Sequence, residues 1–334
     1  MSDEFLRGAT LKDVAELAGV SISTASRVLD PRSTAKDSAT SKRVRDASET
    51  LGYRRDHAAS SLRRQGTSTI GVIVPRLSDA VMGILYEEIA RECERHDLSA
   101  LVATTQDDPD RGRQAVRSLL SRKVDALILT TARVDDGLAA ELRAEKIPHV
   151  LALRADGVSP SAVTDDELGG YLAVRHLADL GHRRIGLICG PLYASSAVGR
   201  LAGSRRAVRE LGLDDDPALI VGEGFSVEAG DESMEQLLAL RVPPTAVFAV
   251  TDHAAIGAMA AIARHGVSVP AQISVVGYND IPLARHLPTP LSSVRASLDL
   301  IAQGAVRMLA NGGREDHLVF PPTMIPRSTT SRLT

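Results

Sequence analysis

From Thr69 onwards the chain alternates short apolar runs with longer amphipathic segments, and this alternation limits the folds that it can adopt. The apolar runs, most of them rich in β-branched residues, are TIGVIVP, ALVATT, DALILT, HVLAL, RIGLICG, AVFAV and ISVVGY. The segments between them have helical length and apolar spacing, and they span 81–97, 109–122, 135–146, 166–180, 197–212, 228–240, 252–265 and 297–310. The pattern predicts parallel sheets that helices cover on both faces.

This alternating region is longer than one sheet comfortably holds. We therefore expect two doubly wound subdomains with a cleft between them. Ligands of such sheets bind beyond the carboxyl ends of the strands, so the loops at those ends are the candidate site.

The segment before the alternating region, residues 10–29, reads TLKDVAELAGVSISTASRVL and predicts two short helices joined by a tight turn. Thr10 and Asp13 have the spacing of a capping box at the start of the first helix. Gly19 can end that helix in a left-handed conformation, and Ser21 can cap the next one. Two helices in this arrangement allow the second to enter the major groove of DNA.

The faces of these two helices follow from the apolar spacing. The residues expected to point inward are Val14, Leu17, Ala18, Ala25, Val28 and Leu29. The second helix then presents Ile22, Ser23, Ser26 and Arg27 outward. A solvated face is more often rich in Glu and Lys, whereas a helix that enters a groove needs slim side chains and donors for phosphate. An ordinary helical hairpin is the alternative.

A polar connection and a third amphipathic helix follow the pair. The third helix is expected from Thr40 to Leu51, with Val44 and Ala47 on its inner face. The next segment contains HAASSLRR, which could form two helical turns but is too short to be a stable helix alone in water. Gly66 and the Thr and Ser residues around it are typical of a linker.

Charge is unevenly distributed along the chain, whose net charge is −3. Residues 1–66 carry 12 Lys and Arg against 9 Asp and Glu, whereas the remainder carries 27 against 33. A basic head on an acidic body would confine contact with DNA to the head.

Composition excludes several classes of protein. Apolar residues make up 44% of the chain, which is typical of a globular protein, and no stretch is apolar enough to span a membrane. Because the N-terminus lacks a signal-peptide core, we expect a cytoplasmic protein. Cys93 and Cys189 are isolated in apolar patterns and are interpreted as buried free thiols, so neither a disulfide nor a metal site is expected.

Several segments together resemble the lactose-repressor (LacI/GalR) family of bacterial transcription regulators. They occur in the family's order from about residue 10 to residue 330 and read LKDVAELAGVSISTASRVLD, TSKRVRDASETLGY, DDELGGYLAVRHLADLGHRRIGLICGP, GRLAGSRRAV, TDHAAIGAMAAI and ISVVGYNDIPLARHLPTPLSSVR. The resemblance implies a helix-turn-helix DNA-binding head, a hinge helix and a two-subdomain body like periplasmic sugar-binding proteins. It also implies a homodimer on pseudo-palindromic double-stranded operator DNA, regulated by a small-molecule effector in the cleft.

The resemblance also suggests domain boundaries. The head is expected at 1–55, the hinge helix and linker at 56–67, and the body at 68–334. Within the body, the two subdomains are expected at the following residues: about 68–166 with 296–322 for the N-subdomain, and about 167–295 with 323–334 for the C-subdomain. Because no leucine heptad follows the last body strand, a dimer is expected rather than a tetramer.

For DNA binding, the resemblance assigns base reading in the major groove to Ile22 and Ser23. The positions that anchor phosphates or read bases are Ser21, Thr24, Ser26 and Arg27. Leu62 matches the hinge leucine that wedges into the minor groove, and Ala59 lies one turn earlier.

Two departures from the family pattern fall in the head. Members usually carry Pro-Asn after the tyrosine that matches Tyr53, and this chain has Arg55 and Asp56. We expect Asp56 to cap the hinge helix. Ala25 stands where relatives commonly have valine, a small loss of core packing.

For the cleft, the resemblance places Arg200, Thr251, Asn279, Val81 and Met82 at effector-contacting positions. Asp252 is interpreted equally as a helix cap or as a ligand contact. Val81 and Met82 stand where many relatives have aromatic residues, and the chain has no Trp and four Phe. These replacements argue against a typical free-sugar effector, while Arg200 leaves a sugar-like or anionic ligand open.

Two other classes of protein are the alternatives. A periplasmic-type binding protein without DNA function would share the body but would need a signal peptide and would lack the helix pair. An enzyme on a doubly wound sheet would need a Gly-rich phosphate turn after an early strand, and GVIVPRLSD and GLICGPLYA lack GxGxxG. His182 is interpreted as a loop histidine and not as a catalytic base, so neither catalytic residues nor a cofactor is expected.

Overall fold

The computed structural model describes residues 10–29, 38–51, 66–310 and 317–333. The chain divides into two compact units, Met1–Thr67 and Ser68–Thr334. Arg55 at the end of the expected head, and Asp56, Ala59 and Leu62 in the expected hinge region, lie outside the described residues.

The first unit contains three helices, α1 at Leu11–Ala18, α2 at Ile22–Val28 and α3 at Ala39–Thr50. Among the residues of this unit that the structure describes, the buried apolar side chains are Val14, Ala15, Ala18, Ala25, Val44 and Ala47. The inner face of α1 therefore differs from the prediction, since Leu17 is 55% exposed and Ala15 is buried in its place. Alanines in the core let these short helices approach one another closely.

The local signals at the ends of these helices are confirmed. Thr10 and Asp13 form a capping box, in which the Thr10 amide donates to Asp13 Oδ2 at 2.7 Å and the Asp13 amide donates to Thr10 Oγ1 at 3.3 Å. Gly19 ends α1 with φ 65°. Ser21 Oγ accepts a hydrogen bond from the Thr24 amide at 3.2 Å and caps α2.

The second unit contains two six-stranded sheets. The first sheet has the order β11-β5-β4-β3-β1-β2 and consists of Thr69–Val74 (β1), Ser99–Thr104 (β2), Ala126–Leu129 (β3), His149–Ala152 (β4), Ser161–Thr164 (β5) and His317–Phe320 (β11). The second has the order β12-β10-β9-β8-β6-β7 and consists of Ile185–Ile188 (β6), Ile220–Val221 (β7), Ala246–Ala249 (β8), Ser274–Asn279 (β9), Ser292–Arg295 (β10) and Thr323–Ile325 (β12). Every pairing is parallel except that of β10 with β12.

Helices flank both sheets and complete two lobes. The first lobe carries α4 at Ala80–Arg95, α5 at Pro109–Ser121, α6 at Leu138–Ala144 and α11 at Leu298–Ala310. The second lobe carries α7 at Asp166–Asp179, α8 at Ser195–Glu210, α9 at Val227–Leu238 and α10 at Asp252–Arg264. The chain crosses between lobes at three points: from β5 to α7, from β10 to α11, and from β11 to β12. None of the described helices has the length and apolar character needed to cross a membrane.

Glycines let α7 and α8 pack with their backbones in contact. A Cβ on Gly203 of α8 would lie 1.8 Å from the Glu167 carbonyl oxygen. A Cβ on Gly170 of α7 would lie 2.0 Å from the Arg200 carbonyl oxygen. Because both obstacles are backbone atoms, neither can move aside without shifting a helix. The close packing fixes the turn of α8 that carries Arg200.

We predict that Gly203→Ala lowers the free energy of unfolding by about 3 kcal/mol or more, because its methyl group overlaps the Glu167 carbonyl. The matched control is Gly83→Ala in α4, where the new Cβ would meet its nearest atom at 3.5 Å. This control should stabilise by up to about 1 kcal/mol, because alanine favours the helix over glycine. Chemical denaturation followed by circular dichroism measures both, and equal effects would contradict the packing argument.

Candidate functional site

A small cavity lies in the second unit where the carboxyl ends of the strands of the two sheets face each other. It holds about 40 Å³, room for a few water molecules. All five residues that the sequence placed in the cleft line it, namely Val81, Met82, Arg200, Thr251 and Asn279. The structure adds five that sequence reasoning missed, namely Asp79, Leu153, Arg154, Ser196 and Phe225.

Arg200 is buried at one side of the cavity and joins several elements of the second lobe. Its Nε donates to Asp166 Oδ1 at 2.8 Å, and its Nη1 donates to the Val250 carbonyl at 2.7 Å. Its Cζ lies 3.6 Å from the ring centroid of Tyr278. Burial raises the pKa of Asp166, and the neighbouring Arg200 charge opposes that rise. The guanidinium is therefore held in a fixed position by a carboxylate, a carbonyl and a ring.

Arg154 faces the cavity from the first lobe. Its Nη1 and Nη2 donate to the two carboxylate oxygens of Asp107 at 3.0 and 3.3 Å. Its Cζ lies 5.6 Å from the ring centroid of Phe225 in the second lobe. The preceding residue, Leu153, has φ 65°, a left-handed conformation that is uncommon for a bulky residue and sets the direction of the chain after β4. No feature of the sequence signals this conformation.

Asn279 and Thr251 reach the cavity from the ends of neighbouring strands of the second sheet. Asn279 ends β9 with φ 103°, and Asp280 follows with φ 54°. Asn and Asp tolerate positive φ better than most residues, and such backbone is often found at functional sites. Thr251 caps α10 by accepting from the Ala254 amide at 3.1 Å, and its Oγ1 donates to the Phe225 carbonyl at 2.8 Å.

The apolar part of the cavity wall comes from both lobes. Val81 and Met82 lie in the first turn of α4, which Asp79 caps by accepting from the Val81 amide at 2.9 Å. Phe225 supplies an aromatic ring from the loop after β7. The prediction against a typical free-sugar effector rested on Val81, Met82 and the few aromatic residues of the chain, and it did not place Phe225 at the cavity.

Asp252 has neither of the two roles considered for it. Thr251 is the cap of α10, and Asp252 is fully buried in the first turn without lining the cavity. Its Oδ2 accepts from the Ile281 amide at 2.7 Å, and its Oδ1 accepts from Ser293 Oγ at 2.6 Å. Burial raises its pKa to about 7. Asp252 therefore holds the loop that follows Asn279.

In the first unit, three of the four side chains expected on the outer face of α2 are exposed. Ile22 is 44% exposed, and Ser23 and Arg27 are also exposed. The hydroxyl of Ser21 lies 2.9 Å from that of Ser23 and 2.8 Å from that of Thr24. Ser26 is half-buried. The exposed surface thus combines small hydroxyl groups, one apolar side chain and one cation, which suits contacts with both bases and phosphates.

His182, Cys93 and Cys189 do not line the cavity. His182 lies 3.0 Å from Thr245 Oγ1 through Nδ1 and 3.1 Å from Ser274 Oγ through Nε2, and burial lowers its pKa. Burial raises the pKa of the Cys93 and Cys189 thiols to about 11, which disfavours the reactive thiolate. Within the described ranges, no group of three or more His, Cys, Asp and Glu side chains is placed to hold a metal ion.

Comparison with known proteins follows the same division of the chain. Residues 10–56 match the model of bacterial regulatory proteins, lacI family, and residues 174–330 match that of the periplasmic binding protein-like domain. The ribose operon repressor of Haemophilus influenzae is 34% identical over 333 residues, which cover 96% of this chain and 98% of that repressor.

Two solved structures are similar over almost the whole chain. The Lac repressor dimer bound to operator and the anti-inducer ONPF has a TM-score of 0.87 at 29% identity, covering 97% of this chain and 100% of that one. The complex of the transcriptional regulator CelR with cellobiose has a TM-score of 0.74 at 27% identity, covering 96% of this chain and 99% of that one.

We predict that raising the pH destabilises the wild type relative to Asp252→Asn. The folded-state pKa of Asp252 is about 7, above its ordinary 3.8, so its stabilising contribution is complete below 3.8 and is lost as the pH rises through 7. Between pH 6 and pH 8 the wild type should lose about 1.4 kcal/mol of unfolding free energy relative to the variant. Chemical denaturation at both pH values measures the difference.

Asp299→Asn is the control for this prediction, because Asp299 is an exposed acid in the first turn of α11. The difference in unfolding free energy between Asp299→Asn and the wild type should stay constant over the same interval. A difference between wild type and Asp252→Asn that does not change with pH would show that Asp252 is not the group that titrates.

Proposed function

Because this chain belongs to the LacI family of bacterial transcription regulators and is a DNA-binding repressor rather than an enzyme, we propose that a small neutral, hydroxylated effector controls its operator affinity. The effector binds in the cavity between the lobes. The protein acts as a homodimer on a pseudo-palindromic operator, in the cytoplasm and on the nucleoid. The Lac repressor structure, a dimer bound to operator, supports this assembly.

The outer face of α2 is the proposed base-reading surface. Ile22 and Ser23 would contact base edges in the major groove, because their side chains are exposed and small enough to enter it. The residues proposed to anchor phosphates or to read bases beside them are Ser21, Thr24, Ser26 and Arg27. Minor-groove insertion by Leu62, with Ala59 one turn earlier, stays a prediction from the sequence.

The single observation that carries the effector chemistry is the pairing of the charges on the cavity wall. Among the ten described lining residues, the charged side chains are Asp79, Arg154 and Arg200. Each arginine has its own carboxylate partner, Asp107 for Arg154 and the buried Asp166 for Arg200. Asp79 sits at a helix N-terminus, where the helix dipole favours its charge. An anionic ligand would add an unpaired charge to this wall, whereas hydroxyl groups can use the remaining N–H donors.

The shape of the wall agrees with such a ligand. Asn279, Ser196 and Thr251 supply polar side chains on one side, and Phe225 and Met82 supply apolar surface. A sugar ring presents hydroxyl groups at its edge and apolar faces on either side, and it fits this combination. CelR, whose structure is a complex with cellobiose, is a similar protein with a neutral sugar ligand.

We predict that Arg27→Ala weakens binding to the DNA that the wild type enriches from a random-sequence pool. Losing one phosphate contact should make the fall of log affinity with log salt less steep, by about one for each subunit. Fluorescence anisotropy at several salt concentrations measures the slope. Arg175→Ala, which removes an exposed arginine from α7 of the body, is the control and should bind as the wild type does. Unchanged affinity in Arg27→Ala would contradict the assignment.

We predict that neutral sugars stabilise the protein in a thermal-shift screen and that sugar phosphates and small carboxylic acids do not. A ligand at one hundred times its Kd should stabilise by about 2.7 kcal/mol. Asn279→Gly should lose most of this shift, because it removes the side-chain amide while glycine accepts φ 103°. Arg200→Ala is less suitable because it leaves Asp166 buried without its partner.

Gln106→Gly is the matched control for Asn279→Gly. Gln106 has φ 57°, so the change relieves similar backbone strain, and its exposed side chain does not line the cavity. The control should keep the full ligand-induced shift. If the best ligand is an anion, or if Asn279→Gly keeps the shift, the proposed effector site is wrong.

A further inference from the structure

Side chains from the two lobes meet across the cleft in a cluster of two arginines and a tyrosine. Arg133 Cζ lies 3.6 Å from the ring centroid of Tyr193, and Arg154 Cζ lies 5.6 Å from the same centroid. Arg133 and Arg154 follow β3 and β4 of the first lobe, whereas Tyr193 lies between β6 and α8 of the second. These three residues are called the bridging cluster below.

Both arginines of the bridging cluster are fixed within the first lobe. Arg133 donates from Nε and Nη2 to the two carboxylate oxygens of Asp135 at 2.8 and 2.9 Å, and its Nη1 donates to the Asp107 carbonyl at 3.3 Å. Arg154 is held by the carboxylate of the same Asp107. The guanidinium groups therefore form a preorganised surface for the Tyr193 ring, and a cation over an aromatic face is attracted to it.

Two backbone amides of the first lobe donate to the second lobe beside this cluster. The Val134 amide donates to the Tyr193 carbonyl at 3.1 Å, and the Ala155 amide donates to Ser195 Oγ at 2.8 Å. Both donors directly follow the arginines of the bridging cluster in sequence. Separation of the lobes here would expose both amides to water.

The bridging cluster shares one residue with the cavity wall. Arg154 belongs to the cluster and at the same time lines the cavity. The cavity holds about 40 Å³, so a ligand of sugar size needs its walls to move apart, and separation of the lobes moves the two walls apart. Separation at this point must remove the Tyr193 ring from Arg133.

We infer that Tyr193 is the residue that keeps the two lobes closed in the absence of a ligand, and that it thereby controls access to the cavity. The regulatory role of Tyr193 rests on the proposed function, whereas its role in keeping the lobes closed does not. Binding a ligand that favours the open lobes would then have to break the contact between Tyr193 and Arg133.

Hydrogen exchange of the full chain, followed by mass spectrometry without DNA or ligand, tests this inference. Tyr193→Ala should raise exchange in the peptides that contain Val134 and Ala155 by about tenfold, because both amides lose protection when the lobes separate. Tyr193→Phe should exchange as the wild type does, since it keeps the ring. Unchanged exchange in Tyr193→Ala would overturn the inference.

Tyr171→Ala is the matched control, because Arg206 Cζ lies 4.7 Å from the Tyr171 ring centroid and both residues belong to the second lobe. It should leave the Val134 and Ala155 peptides unchanged. The double variant Arg133→Met with Tyr193→Ala should exchange no faster than Tyr193→Ala alone, because both changes remove the same contact, that between Arg133 and Tyr193. Additive effects of the two changes would show that they act separately and would overturn the inference.

Access to the cavity has its own measurement. Ser196→Cys places a thiol on the cavity wall, and labelling by iodoacetamide, read at that peptide, reports how often a small neutral probe enters. Adding Tyr193→Ala should speed this labelling by about tenfold, whereas adding Tyr171→Ala should not. Equal labelling rates with and without Tyr193 would overturn the claim about access. Since neither measurement uses a sugar or an operator, a wrong effector assignment would leave both results standing.

Discussion

The buried pair of Arg200 and Asp166 holds the second lobe around the candidate site. Asp166 begins α7 immediately after the chain crosses from β5, and Arg200 lies on α8. The same guanidinium also bonds the carbonyl of Val250, which follows β8, and lies against the ring of Tyr278 on β9. Removing either charge would leave its partner buried and uncompensated, which typically costs several kcal/mol. The pair can exist at this depth because glycines bring α7 and α8 into backbone contact.

Much of the fold could be predicted because its signals are local. The caps at Thr10, Gly19 and Ser21 depend on residues within one helical turn, and the structure has all of them. The long apolar strands were equally readable. The strands that sequence reasoning missed are β5, β7, β10, β11 and β12. These segments are short, and β5 (SAVT) and β10 (SSVR) are partly polar, so only tertiary pairing makes them strands. The prediction that Leu17 points inward was wrong for a related reason, because apolar spacing cannot tell which of two nearby residues a close-packed core will bury.

The candidate site was predictable only where its residues follow a strong sequence signal. Asn279 ends the long apolar strand β9, Thr251 closely follows β8, and Arg200 lies in a segment with a clear family resemblance. Arg154 has no such signal. The direction of the backbone there depends on the left-handed Leu153, and the Arg154 guanidinium is paired with Asp107, which is distant in sequence. Phe225 follows the two-residue strand β7, which is too short to recognise. Arg154 and Phe225 were missed because their places at the cavity depend on contacts between segments far apart in the chain.

The pairing of charges around the cavity has a consequence for how a ligand would act in the proposed function. A neutral ligand cannot displace Asp166 from Arg200 or Asp107 from Arg154, because those charge-assisted bonds are stronger than bonds to hydroxyl groups. Both arginines therefore stay fixed to their own lobes when the cavity is occupied. The ligand can then act only on the distance and angle between the lobes, and not by rearranging either one.

Three crossover segments join the lobes, and one of them leads directly into Asp166, so a rigid movement of the lobes must pass through that junction. A coupling of about 1–3 kcal/mol, the usual range for allosteric proteins, requires only that the ligand contact the two walls differently in the open and closed arrangements.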